Sequence, residues 1–222
     1  MFSFQYGKLY TSFYISVIFI VFGFATNIKA QHSHYNEQLK KQIALFHQTK
    51  NYQSFKKLGA TFKQLADEQK NDWLAYYYAG TCYALCALES PKDEIDHLCQ
   101  QAENFVKTAD SLSKNNSEIL VLKSMIFAAR ILVNPQTRAH KYGAQSLKYA
   151  NEAIRLDSEN PRAYLLKAQN VLNTPKTLGG GKEKAKIIFE KALEKEKSQK
   201  TSSALHPHWG KRQIEEGLEN TK

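Results

Sequence analysis

Cysteine is scarce in this 222-residue chain: there are three, and the first is Cys82. With none near the amino terminus, the diacyl-lipid attachment of a bacterial lipoprotein is excluded. Apolar runs long enough to cross a bilayer are missing as well. "FYISVIFIVFGFA", residues 13–25, is almost unbroken, but thirteen helical residues rise only about 20 Å against a hydrocarbon core of roughly 30 Å. No Ser, Cys or Asp sits in the glycine-flanked elbow of a hydrolase, and the carboxylates fall beside lysines on charged stretches. The chain therefore reads as non-enzymatic, with no cofactor expected.

What the amino terminus does have is the pattern of an export signal. Lys8 is the only charge before Lys29, the apolar run follows it, and Ala30-Gln31 is a suitable cleavage junction with Ile28 two residues before Ala30. Residues 1–30 are read as a signal peptide and 31–222 as the mature domain, periplasmic or secreted, with no integral span; a retained amino-terminal anchor is the alternative. Removing Lys8 and Lys29 lowers the formal charge from +10 to +8. Lys and Glu alternate along the chain rather than cluster, so the balance describes a solvated surface and not a nucleic-acid partner. Peripheral contact with an anionic envelope surface stays open.

Self-similarity dominates the remainder. Segments starting near Trp73, Ser117, Pro161 and His206 resemble one another, at spacings of 44, 44 and 45 residues. Each opens with an aromatic-rich amphipathic stretch, "WLAYYYAGTCYAL", "SEILVLKSMIFAARIL" or "PRAYLLKAQNVL". A loop with Pro or Gly follows, and then a second helix whose small or apolar residues recur at four and then three: Ala102, Val106, Ala109; Ser146, Ala150, Ala153; Ala185, Phe189, Ala192. Those steps return to one face of a 3.6-residue helix, which predicts a close interhelical seam. An earlier pair carries Phe55, Gly59 and Phe62 at the same spacing and reads as an amino-terminal cap.

Ala185-x3-Phe189-x2-Ala192 and "NEAIRLDSENPRAY", 151–164, resemble the tetratricopeptide repeat family. Leu156-Asp157 is followed by Ser158, with the proline displaced to Pro161, and the period is longer than the family's 34 residues. The resemblance implies an all-α, right-handed α-solenoid of about four helix pairs, in units 36–72, 73–116, 117–160 and 161–205, plus a C-terminal capping helix over 206–220 with Trp209 and Leu218 turned inward. The order of Pro, Gly-Gly, the Ala-Phe-Ala motif and a downstream "HWG" is also similar to exported repeat proteins associated with TRAP-type solute transport.

"PKTLGGGKEKAKIIFEKAL", 175–193, invites comparison with a phosphate-binding loop. A Walker A loop needs Ser or Thr after its lysine and a strand before it; Glu183 follows Lys182 and no strand precedes, so the glycines are expected only to turn the chain. Cys82, Cys86, His97 and Cys99 match no structural zinc spacing, and buried alanine-like cysteines or a disulfide from Cys99 to Cys82 or Cys86 are the alternatives. His206 and His208 flank Pro207 at a helix start, where capping is the ordinary role.

In the resembled fold the first helix of each pair lines the concave side. That geometry nominates Leu74, Tyr77, Thr81, Val121, Met125, Arg162, Leu165 and Gln169, either as a ligand-binding groove or as core packing in a tight superhelix. The leading functional expectation is a non-catalytic binding scaffold for a protein or peptide, with Arg162 catching a carboxylate. The alternative is a solute-binding accessory of envelope transport, which a closed pocket would favour.

Overall fold

The computed structural model describes residues 33–199 and 203–222; the signal segment, the Ala30-Gln31 junction and His32 lie outside them. The chain divides into two units, Met1–Lys41 and Gln42–Lys222. Of the first, residues 33–41 are described and are helical, and the helix, α1, ends at residue 48. The second unit holds α2 (Tyr52–Glu68), α3 (Trp73–Glu89), α4 (Lys92–Leu112), α5 (Ser117–Ile131), α6 (Pro135–Leu156), α7 (Pro161–Asn173), a 3-10 turn (Lys176–Leu178), α8 (Lys182–Ser198) and α9 (Lys211–Glu219). Among the described residues there is no strand, and no helix is long and apolar enough to cross a membrane.

The 44-residue period is built into the helix starts. Asp72, Asn116 and Asn160 each take an extended backbone and accept a hydrogen bond from the amide two residues on, at 2.9, 2.9 and 3.0 Å. Each thus satisfies a backbone donor that the first turn leaves without a partner. The chain enters α3, α5 and α7 the same way, and the three helices pack on one another in that order, with α9 against α7. Within the pairs α3–α4 and α5–α6 the helices also share a stacked ring pair one period apart: Tyr83 on Phe105, and Phe127 on Tyr149, with centroids at 5.6 and 5.5 Å.

Every small residue of the three expected seams is buried, from Ala102 through Ala192. The loop 175–181 is a turn. Gly179 and Gly181 take φ of 88° and 107°, values that L side chains avoid. The amides of Gly179, Gly180 and Gly181 donate to Lys176, Pro175 and Val171 carbonyls within the loop's own neighbourhood, so none is turned out to hold a phosphate.

The closing helix is shorter than 206–220. Pro207 and Gly210, at φ 114°, keep residues 203–210 out of helical geometry, and α9 starts only at Lys211. The segment is fastened to the earlier helices: Tyr78 donates to the Leu205 carbonyl at 3.4 Å, and the indole of Trp209 donates to the Tyr77 hydroxyl at 2.9 Å. Trp209 is buried, whereas Leu218 is half-buried.

Beneath that segment lies a buried ion pair. Arg162, at the start of α7, is 2% exposed and Glu118, at the start of α5, is 12% exposed. The guanidinium donates from Nη2 at 2.6 Å and from Nε at 2.9 and 3.0 Å. Glu118 also accepts from Asn160 at 2.7 Å and from Tyr77 at 3.2 Å, while Arg162 donates to the carbonyl of Trp209. Removing one partner of such a pair leaves the other charge buried alone. Glu118→Ala is therefore expected to lower the unfolding free energy by about 3–5 kcal/mol, and replacement of both residues by apolar ones of similar volume to recover much of that loss, as measured by urea denaturation.

Candidate functional site

Of the eight residues nominated for a groove, Leu74, Tyr77, Thr81, Val121, Met125, Arg162 and Leu165 are buried. Burial makes them core rather than an open surface; Tyr77 and Arg162 belong to the network around Glu118, and Arg162 and Leu165 lie against Gly210 of the 203–210 segment. Arg162 does hold a carboxylate, but it is the chain's own Glu118. Burial, then the neighbouring Glu118 charge, pushes the Tyr77 phenol well above its ordinary value, which keeps its proton in place to donate to that carboxylate. Gln169, the eighth, is half-buried and lines a cavity.

That cavity measures about 660 Å³, within the range that receives compact organic ligands. Leu88 of α3 and Ala128, Ile131 and Leu132 at the end of α5 form one side; Pro135, Ala139 and Gly143 of α6 form another. Leu166, Gln169, Asn170, Leu172, Asn173 and Thr174 come from α7 and its end, Phe189 from α8, and Gln213, Glu216, Gly217 and Asn220 from the region of α9. Its polar groups are carboxamides, one hydroxyl and the Glu216 carboxylate, which Arg212 neutralises at 2.8 Å. Among the described residues the lining contains no His, Cys, Met, Tyr or Lys.

Register explains why the space exists. In α4 the positions Ile95, Leu98 and Cys99 are buried and anchor the first half of the helix. One period on, α6 has Ala139, Tyr142 and Gly143. Two anchoring side chains have been cut back to a methyl group and a hydrogen, and α6 buries nothing before Ser146. Across the cavity, Gly217 is required for α9 to lie against α8, because a Cβ there would come within 2.3 Å of the Phe189 ring. The signal for it in the sequence is the loss of bulk between equivalent positions of successive repeats, not a reactive group.

Among solved structures, the chain is similar to the HusA haemophore from Porphyromonas gingivalis, with 37% sequence identity and a TM-score of 0.78 over 85% of this chain and 92% of that one. The chain belongs to the HusA haemophore family. No protein-family model and no curated protein matches it.

The other candidates are occupied by structural tasks. Cys82, Cys86 and Cys99 are buried free thiols, and the sulfurs of Cys86 and Cys99 point at the carbonyls of Tyr52 and Ile126 at 3.6 and 3.7 Å. Burial pushes both thiols up to about 12, so they carry little thiolate with which to react. Among the described residues no group of three His, Cys, Asp or Glu side chains is placed to hold a metal ion.

His206 meets Trp73 edge-on, and His208 stacks on His47 with centroids 3.9 Å apart. Desolvation, then the His208 ring and the Arg162 charge, lower His47 from 6.5 to about 4. A histidine whose pKa falls on folding contributes stability above its unfolded value and loses it as pH falls. Burial raises the nearby Glu196 carboxyl, an effect of opposite sign that offsets part of the loss. Between pH 7 and 4 the urea midpoint of the parent is expected to fall, and that of His47→Gln to fall less; equal slopes would remove His47 from the account.

Proposed function

We propose that this protein is an exported, non-catalytic carrier that takes a porphyrin-type macrocycle into the cavity between α6, α7 and α9. The observation that carries the reading is the coincidence of that cavity with membership of a family whose named relative is a haemophore. The family relation also supports export and a binding role over catalysis. The helix order, with α3, α5, α7 and α9 packed in succession, supports a tetratricopeptide-like right-handed solenoid as the scaffold.

A flat conjugated ring suits this lining. Leu88, Ile131, Leu132, Leu166 and Phe189 supply apolar area, and the small faces of Ala139 and Gly143 leave room for a sheet-like ligand to slide along α6. Carboxamides such as Gln169 and Gln213 can donate to carboxylates at the ring's edge. With no imidazole, thiolate, thioether or phenol among the described residues of the lining, the macrocycle is held by its faces and rim, and the iron is not required. A peptide scaffold has less support, because the side chains that would grip an extended chain are in the core and the 203–210 segment covers them.

Absorbance titration of the mature protein with haemin and with iron-free protoporphyrin is expected to show both binding, with affinities within about tenfold of each other. Ala139→Trp and Gly143→Leu, which fill the cavity, should weaken both by at least about tenfold while far-ultraviolet circular dichroism stays helical. Failure of both ligands to bind the parent protein ends this reading. Binding that survives both substitutions moves the site elsewhere.

A further inference from the structure

The cavity wall supplied by α6 is held in an unusual way. From Ser146 onward the helix is locked: Ser146 and Ser124 exchange hydroxyl-to-carbonyl hydrogen bonds at 2.7 and 2.9 Å, Asn170 donates to the Ser146 hydroxyl at 2.9 Å, and Ala150 and Ala153 are fully buried. From Pro135 to Gln145 no residue is buried. Gly143 sits at the junction of the two halves, where a glycine weakens a helix by about 1 kcal/mol relative to alanine.

What fastens the first half lies on polar ground, on α4. Arg138 donates to both oxygens of Asp96, from Nη1 and from Nη2, each at 2.8 Å. Arg130 of α5 reaches the same carboxylate at 3.2 Å and Glu103 at 2.9 Å, so Asp96 joins α4, α5 and α6. Its side chain is 44% exposed, within reach of salt. Tyr142, beneath Arg138 and tilted against Phe127 at 6.1 Å, adds a looser ring contact.

We propose that residues 135–145 form a hinged wall of the cavity, pivoting near Gly143, and that the Arg138–Asp96 pair is the latch that sets how fast a ligand enters and leaves. The inference rests on the cavity being the ligand site. The latch lies outside the cavity, so loosening it changes passage without removing a ligand contact. Arg138 and Asp96 are positioning residues in this scheme.

Two measurements test it, on Asp96→Asn and, as a second variant, Arg138→Gln. In the ligand-free protein, hydrogen exchange of amides 136–145 is expected to quicken about fivefold while amides 150–156 are unchanged. In stopped-flow mixing with haemin, association and dissociation rates should both rise about fivefold, leaving affinity within about twofold. Added sodium chloride at about 0.5 M should speed the parent toward the variants and leave the variants little changed. Unaltered exchange in 136–145 overturns the latch. So does a rise in dissociation alone with an equal loss of affinity, which would make Asp96 a support of the cavity's shape. If haemin does not bind the parent, the porphyrin reading falls and the exchange result alone decides the latch.

Discussion

The Glu118–Arg162 pair is the contact around which the rest of the domain is arranged. Each residue stands at the same point of its own repeat, the second position of a first helix, and each repeat therefore contributes one charge to a bond that no single repeat could make. A buried charge demands complete satisfaction. Glu118 receives it from Arg162, Asn160 and Tyr77, and Arg162 receives the remainder from Glu118, Gln199 and the Trp209 carbonyl. That last requirement draws in the 203–210 segment, which Pro207 and Gly210 keep out of helical geometry and which runs over α3 and α7.

One consequence is a division of the molecule into a filled side and an unfilled one. Where residues 203–210 lie, Tyr77, Tyr78, Trp73 and the histidines close ring against ring, and Trp209 is tied to the Tyr77 hydroxyl. Where α6 departs from the pattern of α4, the side chains that would close the gap are absent. Interiors pack densely unless the sequence prevents it, so a space of this size has a specific cause, the change from Ile95 and Cys99 to Ala139 and Gly143 one period later. Truncation opens the cavity, and it also costs α6 its apolar anchors and leaves its first half to an ion pair.

Much of this was legible in the sequence. The 44-residue recurrence, the seam residues at four-then-three spacing and the turning role of the glycines before Lys182 all follow from local rules: helix periodicity and the left-handed region of glycine. The site residues were not legible in the same way. Tyr77 and Arg162 stand on the expected face, but a periodic pattern cannot say whether that face is open or covered, because the covering segment is about 130 residues from Tyr78 in the chain.

The sequence by itself determined the helices, their order and their seams, since each depends on residues within a turn or two of one another. It also contained the truncated anchors of α6. Only the tertiary structure decided that Glu118 meets Arg162, that residues 203–210 occupy the face formed by α3 and α7, and that the missing side chains of α6 leave a space instead of a collapsed helix. These outcomes depend on burial and on where unpaired charges find partners, and both are properties of elements brought together from distant parts of the chain.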